Sequence, residues 1–146
     1  MSFDFTPRAM LSVRHLRYRR LWIAVGVALI LMVAIASMIT IPAPLKVVMM
    51  KDKLMHTLAY AGLMGWFAQI YRHDLTRLLL AVGLVLMGVG IEYLQGMTTT
   101  RHFDVLDMVA NTSGVVLAWA LAYTWVGTLL ARFEGLFSRS TVHSSS

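Results

Sequence analysis

Four apolar runs, separated by short polar stretches, set the pattern of this chain. Leu21 to Ile41 carries no charge and is closed by Pro42 and Pro44, which lack the N–H that a helix interior needs. Leu54 to Tyr71 is a second run, interrupted by His56, Tyr60 and Gln69. Leu78 to Leu94 is a third, with Gly83, Gly88 and Gly90, and Val105 to Leu130 is a fourth. An apolar run of about 18 residues or more is long enough to cross a ~30 Å hydrocarbon core as a helix. The pattern therefore predicts helices over 21–41, 54–71, 78–95 and 105–130. A basic cytoplasmic segment, 1–20, precedes them, and a cytoplasmic tail, 131–146, with a Ser-rich end, reads as disordered. The fold class is all-α: a polytopic membrane protein with four transmembrane helices. Ala34 and Ala36 resemble a signal-peptide cleavage site, but the apolar run continues past them, so the first helix is expected to stay uncleaved.

Ala110, Gly114, Ala118 and Ala122 recur at four-residue spacing in the fourth run. Such a stripe lets helix backbones approach closely in a membrane, which puts this helix at the centre of the bundle with Asn111 turned toward its neighbours. Gly83, Gly88 and Gly90 read as packing positions of the third helix.

Composition supports the membrane class. Of 146 residues, 58% are hydrophobic and 14% charged, and the mean hydropathy is +0.69. No length remains for a separate soluble domain. The net charge of +6 acts as a topology signal rather than a nucleic-acid footprint, because the basic residues flank apolar runs instead of interleaving with exposed aromatics. With the N-terminus inside, Arg8, Arg14, Arg17, Arg19, Arg20, Arg72, Arg77, Arg132 and Arg139 are cytoplasmic, whereas Lys46, Lys51, Lys53 and Arg101 lie outside. The positive-inside rule then predicts N-in/C-in. Trp66, Tyr71 and Trp125 read as interfacial anchors on the inner side, and Tyr60 as one on the outer side. With no cysteine, disulfide, thiolate and cysteine-metal chemistry are excluded.

The chemistry concentrates at the predicted outer ends of helices two, three and four. Lys53, His56 and Tyr60 share one helix face; so do Glu92 and Gln95, and so do Asp104, Asp107 and Asn111. Charged side chains in a membrane span are costly and are normally paired, interfacial or functional. Asp104 is placed to cap the fourth helix, and both aspartates suit its positive N-terminal end. His56, Glu92 and Asp107 are the candidate acid–base groups. Lys53, Tyr60, Gln95, Arg101, Asp104 and Asn111 are the candidate ligand contacts, with the planar fork of Arg101 suited to phosphate or carboxylate. The structural alternatives are salt bridges of Glu92 to Arg101 or Lys53, and of Arg101 to Asp104 or Asp107, with Asn111 acting as interhelical glue. A metal held by His56, Glu92 and Asp107 is not favoured by sequence, which offers one histidine and no tight ligand motif, so no metal and no cofactor are expected.

These motifs resemble the VanZ-like family of small bacterial membrane proteins. The matching residues are Asp52-Lys53-x-x-His56-x-x-x-Tyr60, Gly90-x-Glu92-x-x-Gln95 and Arg101-x-x-Asp104-x-x-Asp107-x-x-x-Asn111-x-x-Gly114, over about residues 42 to 122. One departure is Met97-Thr98-Thr99-Thr100, where the family usually carries a proline and glycine. The resemblance implies a multi-pass protein of the bacterial cytoplasmic (inner) membrane, related to one that confers low-level resistance to the glycopeptide antibiotic teicoplanin. The function expected is binding, and in the stronger form modification, of an anionic cell-envelope molecule such as a lipid-linked precursor or phospholipid headgroup. The lipid bilayer is the surrounding partner and association into oligomers is compatible with the reading; a structural or interaction subunit, or a small transporter, are the alternatives.

Overall fold

The computed structural model describes residues 16–39, 49–98 and 103–140, and among these the chain is helical, with no strand. We label the helices α1 (Arg19–Met38), α2 (Met49–Ile70), α3 (Asp74–Gly96), α4 (Val105–Leu121) and α5 (Leu129–Ser140), with a 3-10 turn at Trp125–Thr128 between the last two.

Buried in the bundle, α2 packs mainly against α4, and also against α1 and α3. Tyr60, Leu63, Met64 and Ala68 of α2 meet Ala81 and Leu84 of α3 and Val115, Ala118 and Ala122 of α4 in one apolar core. The small-residue stripe governs this contact. Ala110, Gly114, Ala118 and Ala122 are all buried, and a Cβ on Gly114 would lie 2.2 Å from the Thr57 carbonyl oxygen of α2. At this position the close approach requires glycine. On α1 only Gly26 is buried, facing the Trp66 and Phe67 rings, while Leu21, Val27, Leu31, Met32 and Ile35 are exposed. Exposed apolar side chains on this scale suit a hydrocarbon surrounding rather than water.

Two helices, α1 and α3, are long and apolar enough to cross a membrane, or three spans result if α4 and the segment after it count as one bent crossing. The sequence pattern counts four. The difference lies partly in α2, whose Lys53, His56, Thr57 and Gln69 dilute its apolarity, with Lys53 and His56 turned toward partners inside the bundle.

The predicted helix over 105–130 is not continuous. It breaks after Leu121, and the following segment is bent by 76°. Thr124 sits at the break: its hydroxyl donates to the Leu121 carbonyl at 2.6 Å and, as N-cap of the following turn, accepts from the Val126 amide, a local alternative to continuing the helix. Gly127 permits the turn, since a Cβ there would lie 2.2 Å from the Ala122 carbonyl oxygen. The expectation of a disordered tail from 131 is likewise corrected as far as Ser140, which ends α5; residues 141–146 lie outside the described residues. α5 is held by Glu134, whose carboxylate accepts from the backbone amides of Arg17 (2.7 Å) and Tyr18 (3.2 Å) and from the Trp22 indole (2.5 Å). These bonds satisfy amides at the start of α1, where Tyr18 offers no side-chain cap.

At the same end of the bundle Arg77, 5% exposed, caps α2. Its Nε donates to the Tyr71 carbonyl at 2.9 Å and its Nη2 to the Ala68 carbonyl at 2.8 Å, placing a cation at a helix C-terminus. Its guanidinium also lies over the Tyr123 ring, 5.3 Å from the centroid. Gln69 accepts from the Leu130 amide at 2.6 Å, fixing the start of α5. The expected packing role of the α3 glycines holds for Gly88, which is buried, but not for Gly83 and Gly90, at which an added Cβ would meet nothing within 4 Å.

Candidate functional site

The opposite end of the bundle gathers the polar faces of α2, α3 and α4. Asp104 caps α4 as expected, its carboxylate accepting from the Leu106 amide at 2.8 Å. Lys53 of α2 reaches across to α4, its Nζ lying 2.7 Å from Asp104 Oδ2 and 2.8 Å from Asp107 Oδ1. The hydrogen bond from Lys53 holds the Asp104 carboxyl below the usual carboxylate range, aided by the bond from the Leu106 amide. One turn along α2, His56 Nδ1 lies 3.0 Å from Asn111 Oδ1, and its Nε2 lies 3.8 Å from Asp107 Oδ2. Because an amide oxygen can only accept, this bond requires a proton on Nδ1; in the neutral imidazole Nε2 then carries the lone pair, facing Asp107.

Glu92 enters from α3 and is 1% exposed. One oxygen, Oε2, accepts from the Asp104 backbone amide at 3.3 Å. The other, Oε1, is buried with no hydrogen-bond partner among the described residues, and the Tyr60 hydroxyl shares that condition. Tyr60 is therefore not an interfacial anchor: it is 1% exposed, and Gly88 makes room for it, since a Cβ there would lie 3.2 Å from the Tyr60 hydroxyl and 3.1 Å from Asn111 Nδ2. Trp66 is likewise tied into the bundle, donating to the Trp22 carbonyl at 2.9 Å and meeting the Trp22 ring edge-on.

Of the nine candidate residues, the structure brings Lys53, His56, Tyr60, Glu92, Asp104, Asp107 and Asn111 together. Gln95 is buried, and its amide donates to the Ser37 carbonyl near the end of α1 at 2.5 Å, so it ties α3 to α1. Arg101 lies outside the described residues. A Glu92–Lys53 pair is not formed, because Lys53 is taken by the two aspartates. Neither Gly88 nor the Ser37 backbone carbonyl is marked out in sequence. The position of Gly88, one turn before Glu92 on α3, was the only available hint.

Among the described side chains, the cluster sets three carboxylates, Glu92, Asp104 and Asp107, against the Lys53 ammonium. It has the elements of an acid–base site: an imidazole with a fixed tautomer, a carboxylate beside it, and a second carboxylate shielded from water.

The match of this chain to known proteins covers α1 to α4. A family model described as VanZ/LLP1 matches residues 3–127, which takes in α1 as well as the polar motifs. Uncharacterized protein C11E3.10 of Schizosaccharomyces pombe is 31% identical over 113 residues, covering 75% of this chain and 67% of that protein. No solved structure matches. With the family model covering most of its length, the chain belongs to the VanZ/LLP1 family.

Proposed function

We propose that this is a four-span, N-in/C-in membrane protein whose polar cluster faces outward from the bacterial inner membrane and receives the anionic headgroup of an envelope molecule. A phospholipid or a lipid-linked precursor would supply such a headgroup. The observation that carries the reading is the buried Tyr60 hydroxyl, a donor with no partner among the described residues inside a cluster whose lysine, histidine and asparagine are bonded. A cluster that served only to join helices would be expected to close on itself, since each unpaired buried polar atom costs stability. The donors for an anion are the Tyr60 O–H, the third ammonium hydrogen of Lys53 and the Arg101 guanidinium, which precedes the Asp104 cap by three residues. Should the bound molecule be modified, His56, Glu92 and Asp107 are the groups for proton transfer.

The four-span topology rests on chain geometry. Only residues 71–73 join α2 to α3, and a 22-residue helix rises about 33 Å, so α2 has the length to return across the membrane beside α3. The bundle end holding Arg17 and Arg77 then faces the cytoplasm.

Anionic lipid provides the test. Phosphatidylglycerol added to the detergent-purified protein should raise the unfolding midpoint more than phosphatidylcholine does. The excess should vanish in Tyr60→Phe and Arg101→Ala, and a polyprenyl phosphate in place of phosphatidylglycerol separates the two headgroup sources. Equal shifts with both phospholipids, with no response to polyprenyl phosphate, would end the proposal. The structural reading is favoured by one observation, the double ion pair of Lys53 between α2 and α4. A lipid that stabilises the wild type but not His56→Ala counts against it.

A further inference from the structure

We infer that His56, Glu92 and Asp107 form a binding site for one divalent transition-metal ion of the Zn2+ or Mn2+ class. One ligand atom from each of these residues, on three different helices, lies within 4.8 Å of the others. Each residue has a free donor atom. In the neutral imidazole, the form that binds a metal, the Asn111 bond leaves His56 Nε2 with the lone pair. Asp107 gives Oδ1 to Lys53 and turns Oδ2 toward Nε2 at 3.8 Å, too long for a hydrogen bond. Glu92 gives Oε2 to the Asp104 amide and keeps Oε1 buried with no partner among the described residues.

Such an arrangement sets electron-rich atoms facing one another out of water, which is unfavourable until a cation lies between them. A dication would also offset the excess of carboxylates over Lys53. Ligands bound to one tetrahedral ion at 2.0–2.1 Å stand about 3.3 Å apart, so the three groups, within 4.8 Å of one another, need to close by up to about 1.5 Å. The His56–Asn111 bond supplies the outer contact that metal-binding histidines ordinarily have, fixing the tautomer and the ring. One imidazole and two carboxylates suit Zn2+ or Mn2+ and leave positions open for water or a phosphate oxygen. The spacing in sequence cannot reveal this, because the ligands are brought together only by the packing of α2, α3 and α4. The metal site stands independently of the headgroup proposal.

The test is a titration of the chelator-stripped, detergent-solubilised full chain with Zn2+, and in parallel with Mn2+. The wild type should take up one ion per chain. Affinity should fall by about 100-fold or more in His56→Gln, Glu92→Gln and Asp107→Asn, and by about 10–100-fold in Asn111→Ala, which disturbs the orientation of His56 and leaves all three ligands in place. His73→Gln, in the connection at the opposite end of the bundle, should bind as the wild type does, excluding that histidine as the source of the uptake. Where one variant fails to fold, Glu92→Gln carries the test, since it keeps the Asp104 contact through its amide oxygen. No stoichiometric uptake by the wild type, or unchanged affinity in Glu92→Gln and Asp107→Asn, would overturn the site. Metal uptake without lipid selectivity would sustain the site and sink the headgroup proposal, and lipid selectivity without metal uptake the reverse.

Discussion

At the scale of single residues, Lys53 and Gly114 show how the same two helices are held by different physics. Lys53 joins α2 to α4 through two carboxylates. Its bond to Asp104 keeps that carboxyl below its usual range. A depressed folded-state pKa stabilises the fold above the unfolded value of about 3.9 and ceases to do so as pH falls through the lower folded value. Asp104→Asn, which can still cap α4, should therefore lower the unfolding midpoint at neutral pH, and the gap to the wild type should close on acidification; a gap constant with pH would contradict the ion pair's role. Gly114 acts through shape. Gly114→Ala drives a Cβ into the Thr57 carbonyl and should cost about 1–3 kcal/mol or more. Gly90→Ala meets nothing within 4 Å and should be neutral, or stabilising by up to about 1 kcal/mol. Equal midpoints for the two variants would show that α4 does not approach α2 as described.

At the scale of elements, the connections matter as much as the helices. Apolar run length located α1 to α3 and the start of α4 in sequence to within about five residues. The small-residue stripe marked the face of α4 that meets α2, although the centre of the bundle is α2, since Val105, Leu106, Val109, Val116 and Leu117 of α4 are exposed. Run length cannot register the break at Thr124, because Tyr123, Trp125 and Val126 keep the stretch apolar while a hydroxyl bonds the backbone on both sides. Nor does a charge count separate Arg77, a buried helix cap, from an exposed loop arginine. Arg77→Lys should be nearly as destabilising as Arg77→Ala, since only a fork reaches both the Ala68 and Tyr71 carbonyls; rescue by lysine would mean that charge alone matters there. The Glu134 clasp belongs to the same class, because the carboxylate and the amides it accepts from are more than 100 residues apart. Glu134→Ala should cost about 1–3 kcal/mol and speed hydrogen exchange at the Arg17 and Tyr18 amides, leaving exchange around His56 unchanged.

At the scale of the whole molecule, the bundle has two unlike polar ends. One holds caps and clasps, Arg77, Gln69 and Glu134, whose bonds go to backbone groups, with His73 Nδ1 nearby buried without a partner among the described residues. The other holds the His56, Glu92 and Asp107 cluster with atoms left over. Helical spacing made the second end legible, since each set of polar residues falls on one face, but the pairing of Lys53 with both aspartates and the burial of Tyr60 behind Gly88 depend on how those faces meet. The absence of native cysteine makes orientation directly measurable. Met97→Cys, at the polar-site end, should react with an impermeant thiol reagent from outside intact cells, and Arg132→Cys only after lysis; labelling of both from one side would contradict the four-span topology. The central claim is that the cluster is kept for a ligand at some cost to the fold. Its most direct test is the unfolding midpoint of Glu92→Gln against the wild type, in detergent without metal or added lipid. An unchanged or raised midpoint is the result expected when a buried, half-bonded carboxylate is neutralised. A clear fall would show that the Glu92 charge holds the bundle together, and the functional reading of the cluster would be wrong.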